Sequence, residues 1–397
     1  MRTVLEVDGL FDGTTTLSDA AIVVEGGEIT WVGKRSRAPK TPKGQRSRTP
    51  EAGGRFVVPG MVNCHAHLTL DGGADFTAET AQSDALAALK AFKNARAALR
   101  AGVTTVRDLG ANGPMVIELG RAIERGVLEG PRIIAAGRGI TNTGGHGTEV
   151  GRIADGPDEV RRATREQIAA GCGVIKFFST GGVLGEGAGP DLAQYTLEET
   201  RAAVEEAHKA GIRITTHAHG AEGMRIAAEA GIDSIEHCTL LDQRTIRLIK
   251  ERDVALVPTF SALHAILGHE DVLPEQVRER ARSVASKHHE GVRAAHKAGV
   301  RIAAGTDAGT PFNRHEAYAL ELRYLHETGL SREEALVAAT SRAADVVGRP
   351  SAGRIAAGAA ADLVFVSGDP TRDLDVLLAP KAVWVRGAPV STPEAPA

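Results

Sequence analysis

Two histidines one residue apart, His65 and His67, follow the apolar run 57–62. On a β-strand, residues i and i+2 point to the same face, so the two imidazoles would be directed at one point. Imidazole nitrogen is a common ligand of zinc and other transition metals. The spacing predicts half of a metal site, and the alternative is a pair of ordinary polar residues at a strand end.

Other apolar runs also contain or precede side chains that could bind a metal or move a proton. Five of them stand in or just after predicted strands, namely Lys176, His217, His219, His237 and Asp307. In a barrel of parallel strands, functional residues lie at the carboxyl ends of the strands. The joint pattern therefore predicts one site that gathers these side chains with the first two histidines.

Alternating strands and helices would position these residues. Residues 56–349 alternate short β-branched runs with longer helical segments, which is typical of βα units around a parallel sheet. The predicted strands are 57–62, 104–107, 132–136, 174–178, 213–216, 233–236, 255–257 and 301–304. Eight such units predict an α/β fold, a (β/α)8 TIM barrel over 56–349 that carries the predicted metal site.

Short strand-like runs with turn signals flank this region. They occur in residues 1–55 and again in residues 350–391. We expect the two segments to pair into one small composite β-sandwich domain beside the barrel. The basic stretch 34–48 is interpreted as a solvated loop, and a phosphate-binding arm is the alternative.

The composition is that of an ordinary globular protein. The chain has 397 residues and a formal net charge of −3, which does not indicate binding to nucleic acid or to a membrane surface. No apolar stretch approaches the roughly 18 residues of a membrane span, and acids stand where a signal peptide would be apolar. Three distant cysteines predict buried thiols without disulfides. We expect a cytoplasmic enzyme with a small-molecule substrate, and a homo-oligomer is one option for its assembly.

Lys176 is unusual because it lies among Val, Ile and Phe in the predicted strand 174–178. Burying its ammonium group there would cost several kcal/mol. Three outcomes would lower this cost: a salt bridge to a carboxylate such as that of Asp307, a lowered pKa, or conversion to a carbamate by CO2. A carbamate carries a negative charge and two oxygens, so it could bridge two cations held by the histidines.

Short motifs along nearly the whole chain resemble those of the amidohydrolase superfamily. They are Pro59-Gly60 before His65-Ala66-His67, the segments 104–110 and 143–147, Ile175-Lys176 followed by 180–183, His217-Ala218-His219-Gly220, Ile235-Glu236-His237, Gly305-Thr306-Asp307 and the closing segment 358–364. Within the superfamily, the chain is similar to the branch of metal-dependent carboxypeptidases, Xaa-Pro dipeptidases and ochratoxin-type amidases, often called imidazolonepropionase-like.

The resemblance implies a binuclear centre with two divalent metal ions, usually Zn2+. One ion would be held by His65, His67 and Asp307, the other by His217 and His237, and a CO2-derived carbamate on Lys176 would bridge them. A metal-bridging hydroxide would attack an amide carbonyl, and Asp307 would carry the proton to the leaving nitrogen.

The same resemblance suggests where a substrate would be held. His219 is assigned to the substrate, because this position contacts the substrate's carboxylate in the branch, and metal ligation is the alternative. His146, in a Gly-rich loop, is a second candidate substrate contact, with an ordinary loop histidine as the alternative. Tyr195 is a third candidate, although packing at a helix start is favoured. The remaining histidines are interpreted mostly as surface residues, with His315 nearest to the mouth of the site: His288, His289, His296, His315 and His326.

The predicted function is hydrolysis of amide bonds in N-acyl amino acids, dipeptides or related carboxyamides. A lactonase, an esterase or a cyclic-amide hydrolase on the same site is the alternative, because attack on a carbonyl does not depend on the leaving group. A deaminase is less favoured, since Gly220 stands where these enzymes tend to carry a glutamate. True imidazolonepropionases do not use a lysine on the fourth strand, whereas Lys176 is present here. A non-catalytic binding protein would require the loss of a ligand, and each predicted ligand is present.

Overall fold

The computed structural model describes residues 2–39, 55–184 and 187–391, so residues 40–48 of the basic stretch lie outside it. In chain order the strands are β1 (Arg2–Phe11), β2 (Thr16–Glu25), β3 (Glu28–Lys34), β4 (Phe56–Pro59), β5 (Met61–Ala66), β6 (Val103–Asp108), β7 (Arg132–Ala135), β8 (Gly139–Thr141), β9 (Gly151–Ile153), β10 (Val174–Phe178), β11 (Arg213–Ala218), β12 (Ser234–His237), β13 (Ala255–Val257), β14 (Leu363–Val366), β15 (Ala382–Val385) and β16 (Ala388–Pro389). The α-helices are α1 (Phe76–Thr80), α2 (Asp84–Arg100), α3 (Met115–Glu124), α4 (Gly156–Ala170), α5 (Leu197–Lys209), α6 (Ala221–Ala230), α7 (Gln243–Glu251), α8 (Phe260–Leu267), α9 (Glu275–Lys297), α10 (Ala319–Thr328), α11 (Arg332–Ala339) and α12 (Ser341–Val346).

The strands from the two ends of the chain form one seven-stranded sheet, in the order β16-β15-β14-β4-β1-β2-β3. β1 and β2 form a long antiparallel pair. β4 pairs in parallel with β1 and antiparallel with β14, so it joins the N-terminal strands to the C-terminal ones. Because β4 bridges the two sets, the strands from the two ends of the chain are bonded into one composite sheet. A separate apolar core that includes Leu5, Ile22 and Phe365 packs within this unit.

Gly60 separates β4 from β5, where the sequence predicted a single strand over 57–62. The first part of that run belongs to the seven-stranded sheet, and the second part begins the barrel. The backbone N–H of Gly60 donates to the Asp362 carbonyl at 2.8 Å. A Cβ atom at Gly60 would lie 2.0 Å from Thr104 Oγ1. This close approach explains why a glycine stands at the junction of the two units.

Parallel strands form the second unit in two ladders, β5-β6-β7 and β13-β12-β11-β10-β8-β9. The backbone N–H of Gly173, just before β10, donates to the Ala135 carbonyl of β7 at 2.8 Å and connects the two ladders. Residues 301–304, predicted as the eighth strand, pair with β13 through a single bridge between Leu256 and Ile302. The α/β class with parallel βα units is confirmed, and isolated backbone hydrogen bonds, rather than continuous pairing, join the two ladders.

Local sequence signals explain where several helices begin and end. Thr196 and Glu199 form a capping box at the start of α5, in which each side chain accepts from the other residue's backbone N–H. Helices α4 and α6 are followed by Gly171 and Gly231, with φ of 89° and 96°. Glycine adopts this left-handed conformation without the steric cost of a Cβ atom. Gly171 and Gly231 therefore mark the ends of α4 and α6.

The interior of the barrel is built mainly from Ala, Val, Ile and Leu, in keeping with an aromatic content of 4%. The three cysteines are buried and free of disulfides, as predicted. Within the described ranges, no helix combines the length and the apolar character needed to cross a membrane.

Gly60→Ala is expected to destabilise the fold, because its methyl group would meet the Thr104 side chain at the junction of the two units. Overpacking of this kind costs about 1–3 kcal/mol. Thermal unfolding should show a melting temperature lowered by a few degrees. Thr104→Ala alone should cost less, since Thr104 Oγ1 has no hydrogen-bond partner among the described residues. The double variant should recover part of the loss, and a double variant as unstable as Gly60→Ala would contradict the steric explanation.

Candidate metal centre

Three potential ligand atoms meet at His65, His67 and Asp307. Strand β5 ends at Ala66, so His65 lies in the strand and His67 directly after it. Nε2 of His65 and Nε2 of His67 lie 3.2 and 3.1 Å from Asp307 Oδ1. The three ligand atoms lie within 4.8 Å of one another. Two imidazole nitrogens and a carboxylate oxygen suit zinc and other divalent transition metals, so these residues fit a metal ion.

Each of the two histidines is oriented by its other ring nitrogen. Nδ1–H of His65 donates to Glu236 Oε2 at 2.9 Å, and Nδ1–H of His67 donates to the Gly110 carbonyl at 3.1 Å. Because carboxylate and carbonyl oxygens only accept, these bonds place the ring protons on Nδ1. Nε2 of His65 then carries the lone pair typical of metal-binding histidines, whereas Nε2 of His67 is also hydrogen-bonded to Asp307 and would release its proton when a metal ion binds.

His217 and His237 lie beside this first group. Their ring centroids are 4.5 Å apart, and the ring of His237 lies 5.1 Å from that of His65. Nε2–H of His217 donates to the Gly181 carbonyl at 3.1 Å, and Nδ1 of His237 is hydrogen-bonded to Thr259 Oγ1 at 2.8 Å. The second nitrogen of each ring is left available to a cation, as in the first pair.

Glu236 connects the first group to the interior of the barrel. Its side chain is fully buried, and Oε1 accepts from the Arg107 guanidinium at 2.7 Å and from the Thr215 hydroxyl at 2.5 Å. Burial would raise the pKa of Glu236, but the charge of Arg107 and the hydrogen bond from His65 lower it to about 2. The carboxylate therefore stays ionised, and it fixes the orientation of the His65 ring.

Sequence analysis assigned no role to Glu236 or Arg107. The available signal was their position, since both are charged residues at the carboxyl ends of predicted strands, 233–236 and 104–107. A buried charge is tolerated only when it is paired and hydrogen-bonded. Two opposite charges on different predicted strands could therefore have been assigned to each other.

Burial keeps most imidazoles of the cluster neutral. It lowers the pKa of His65 to about 4, and burial with the neighbouring imidazoles holds the pKa values of His217 and His237 well below the usual value. Burial also acts to lower the pKa of His67, but the hydrogen bond and charge of Asp307 raise it overall. A neutral imidazole has the lone pair that metal binding requires.

Lys176 belongs to β10 and lines the same cavity as the histidines, with 1% of the residue exposed. In the described part of the chain, no salt bridge within 4.0 Å involves its ammonium group. Nζ lies 5.3 Å from the centroid of the Phe178 ring. The direct salt bridge to Asp307 that the sequence left open is therefore not formed. Burial lowers the pKa of Lys176 to about 8, although the charges of Glu236 and Asp307 oppose this shift.

Two of the three predicted substrate contacts line the cavity. His219 is buried, its Nδ1 is hydrogen-bonded to Thr239 Oγ1 at 3.0 Å, and its ring lies 4.7 Å from that of His217. His146 packs its ring 4.5 Å from His217 and edge-on to Phe178. Both side chains are therefore placed to touch a bound molecule.

Tyr195 does not line the cavity. Its hydroxyl donates to the Ala154 carbonyl at 2.8 Å, and its ring packs 4.5 Å from that of Phe177. These contacts hold it in the core at the start of α5, because a buried phenol needs a hydrogen-bond acceptor. The structure thus corrects its assignment as a pocket residue in favour of helix-start packing.

Two histidines that sequence analysis placed mostly at the surface are buried instead. His288, on α9, is 1% exposed and lines the cavity. His315 is 3% exposed, and its Nε2–H donates to the Leu70 carbonyl at 2.9 Å. Most of α9 is polar, but Val277, Ala281, Val284, Val292 and Ala295 form one apolar stripe that includes position 288, so this spacing could have placed His288 inside.

The comparison with known families agrees with this geometry. Residues 56–390 match the model of the amidohydrolase family. The chain belongs to the amidohydrolase family, which confirms the resemblance carried by its motifs.

Similar proteins cover nearly the whole chain. The chain is 32% identical to ochratoxinase from Aspergillus niger over 92% of its own length and 81% of that protein. It is 26% identical to imidazolonepropionase from Salinispora tropica, over 88% of its own length and 86% of that protein. Among solved structures, a Xaa-Pro dipeptidase with bound methionine in the active site matches with a TM-score of 0.90 and 32% identity, over 99% of this chain and 100% of the other. The A. niger ochratoxinase structure matches with a TM-score of 0.88 and 30% identity, over 98% of this chain and 95% of the other.

Glu236→Gln is expected to weaken metal binding at the first group, because the amide lacks the charge that holds Arg107 and accepts less strongly from His65. Loss of such an outer partner typically lowers metal affinity about 10–100-fold. Calorimetric titration of metal-depleted protein with Zn2+ measures the change. Glu206→Gln is the matched control, since this carboxylate pairs with Arg165 on the helical surface. Equal affinities in the two variants would contradict the role of Glu236.

Proposed function

We propose that this protein is a binuclear metal-dependent amidohydrolase that hydrolyses amide bonds in N-acyl amino acids, dipeptides or related carboxyamides. The observation that carries the proposal is the presence, in the lining of one cavity, of four histidines with free ring nitrogens, of Asp307 and of Lys176. Membership of the amidohydrolase family, and similarity to an ochratoxinase and a Xaa-Pro dipeptidase, support this reaction class.

The side chains form two proposed sets of ligands, one for each of two divalent ions. Their nitrogen and oxygen donors suit zinc. The first ion would be held by His65, His67 and Asp307, and the second by His217 and His237. A carbamate on Lys176 would offer one oxygen to each. Ions bound there would supply a water of lowered pKa and would polarise the substrate carbonyl.

The environment of Lys176 favours carbamate formation. CO2 reacts with a neutral amine, so a pKa lowered to about 8 makes the reactive form more abundant near neutral pH. The product is an anion, and two cations beside it would repay the cost of its burial. An unmodified ammonium group in the same place would repel both ions.

Asp307 is proposed to carry the proton. Burial would raise its pKa, but the charges of His65 and His67 hold the pKa below its usual value. The carboxylate can therefore accept a proton from the attacking water and give it to the leaving nitrogen. Its backbone N–H donates to the His65 carbonyl at 2.8 Å, and its φ is 59°, a left-handed conformation that is unusual for a residue with a Cβ atom. This fixed backbone holds the carboxylate against both histidines.

His219 and His146 are proposed to contact the substrate. His219 uses Nδ1 for Thr239, so its Nε2 is available to a ligand in the cavity. The ring of His146 lies next to that of His217, one of the proposed metal ligands. A substrate carbonyl near the metals would bring its neighbouring polar groups within reach of these two rings.

The second candidate function is hydrolysis of a lactone, an ester or a cyclic amide at the same site. The match to an imidazolonepropionase keeps this candidate open. A deaminase is less favoured, because Gly220 supplies only backbone at the start of α6, where a general acid would have to stand. Lys176 in the cavity also favours a bridged pair of ions over a single ion.

Metal analysis of the purified protein is expected to give close to two divalent ions per chain. Lys176→Ala should then lose at least about 10³-fold in kcat, because it removes the ligand shared by both ions. Small carboxylates such as acetate should restore part of the activity, since they can replace the carbamate. Lys209→Ala, at an exposed position of α5, is the matched control and should keep full activity. One ion per chain together with an unmodified Lys176 would contradict the bridged centre.

A substrate panel separates the two candidate functions. The zinc-loaded protein is expected to hydrolyse N-acyl amino acids and dipeptides faster than lactones or cyclic amides, with kcat/KM as the measure. Turnover of a lactone or a cyclic amide without turnover of any linear amide would favour the second candidate. An Asp307→Asn variant, which keeps the shape but cannot take the proton, is the control for hydrolysis by contaminants.

A further inference from the structure

Helices α8 and α9 form one wall of the cavity, and this wall is almost entirely apolar. It consists of Ala262, Leu263 and Ile266 from α8 and of Val284 and His288 from α9. Residues four apart lie on the same face of a helix, so His288 follows Val284 toward the cavity. No Lys, Arg, Asp or Glu of these two helices is among the described residues that line the cavity. His288 is therefore the polar group of an otherwise apolar surface.

The imidazole of His288 has at most one hydrogen-bond partner among the described residues. It is 1% exposed, the backbone carbonyl of His237 can accept from one ring nitrogen, and no described residue bonds to the other nitrogen. Burial, together with the imidazoles of His289 and His219, lowers the pKa of His288 to about 3, so the ring is neutral. A neutral imidazole has one donor and one acceptor. The N–H can donate to the His237 carbonyl, and since buried polar groups are nearly always paired, the acceptor nitrogen calls for a donor from outside the chain.

Neighbouring histidines of the same helix do not share this feature. Nδ1 of His289 is hydrogen-bonded to Thr328 Oγ1 at 2.6 Å, and its Nε2 to His264 Nε2 at 3.1 Å. His296 pairs with Glu334 at 3.1 Å. Among the three histidines of this helix, a buried ring nitrogen without a partner is thus specific to His288, the one that lines the cavity.

The position of the ring is fixed, which a specific contact requires. His288 packs 4.3 Å from the centroid of Phe260, at a tilt of 35°. The N-terminus of α8 is held in turn by Glu321, which accepts from the backbone N–H groups of Phe260 and Ser261 at 3.0 and 2.8 Å. The imidazole is therefore held in a defined orientation.

We propose that His288 is a specificity-determining residue, which hydrogen-bonds to an uncharged polar group, such as a hydroxyl, on an otherwise apolar side chain or acyl group of the substrate. An ionised group would be poorly solvated against this wall, because it would face only alkyl groups and one neutral ring. A purely apolar group would leave the acceptor nitrogen of His288 unpaired. The proposal rests on the proposed amide hydrolysis for the bond that is cleaved, but the contact itself concerns binding.

Matched substrate pairs that differ by one hydroxyl test the contact. N-acetyl-L-tyrosine against N-acetyl-L-phenylalanine places the hydroxyl on the amino-acid side, and N-(4-hydroxybenzoyl)glycine against N-benzoylglycine places it on the acyl side. The zinc-loaded wild type should favour the hydroxylated member of one pair at least about tenfold in kcat/KM. His288→Leu should abolish this preference by lowering kcat/KM for the hydroxylated member alone, whereas His288→Asn should keep part of it.

His296→Leu is the matched control, since it makes the same change on the same helix away from the cavity, and it should leave both ratios unchanged. If His288→Leu does not fold, His288→Phe is used in its place, because this variant keeps an aromatic ring packed against Phe260. The proposal would be overturned if the wild type had no preference in either pair. It would also be overturned if the preference survived in His288→Leu or in its substitute His288→Phe.

Binding separates this inference from the proposed function. If the wild type hydrolyses none of the four compounds, their dissociation constants with the zinc-loaded protein are measured by calorimetry. A preference for the hydroxylated compound that His288→Leu removes would support the contact while amide hydrolysis fails. Equal binding of both members of each pair would overturn the contact as well.

Discussion

The buried carboxylate of Glu236 is the constraint on which the site depends. It joins three strands, because it accepts from Arg107 on β6, from Thr215 on β11 and from His65 at the end of β5. The ion pair with Arg107 compensates a charge that would otherwise be intolerable inside the barrel. Its second oxygen sets the tautomer of His65, and His65 in turn contacts Asp307. The orientation of His65 toward Asp307 therefore depends on the buried Glu236–Arg107 ion pair.

Around this constraint, the cavity has two sides with different chemistry. One side carries neutral imidazoles, Asp307 and Lys176, which suit two cations and a proton transfer. The other side is the α8–α9 wall, which is apolar apart from His288. The first side defines a reaction on a carbonyl, and the second side selects which molecule presents that carbonyl. Catalysis and specificity are thus assigned to different elements of the same barrel.

The sequence predicted which side chains line one cavity because their positions follow from a simple rule. Parallel strands end at one edge, so the residues that close different strands meet there, as His217 and Asp307 do. It did not predict the break at Gly60, which depends on the distance to Thr104, a residue on another strand. The inward position of His288 was missed although a signal existed, since Val284, His288 and Val292 lie on the apolar face of α9.

We propose that a carbamate on Lys176 is shared by two metal ions. A crystal structure of the protein, loaded with zinc in the presence of bicarbonate and recorded at the zinc absorption edge, tests it most directly. The anomalous map is expected to show two peaks about 3.5–4 Å apart, as in other two-metal sites, with density for a carboxylated Lys176 between them. A single peak beside His65 and His67, with a bare amine on Lys176, would contradict it.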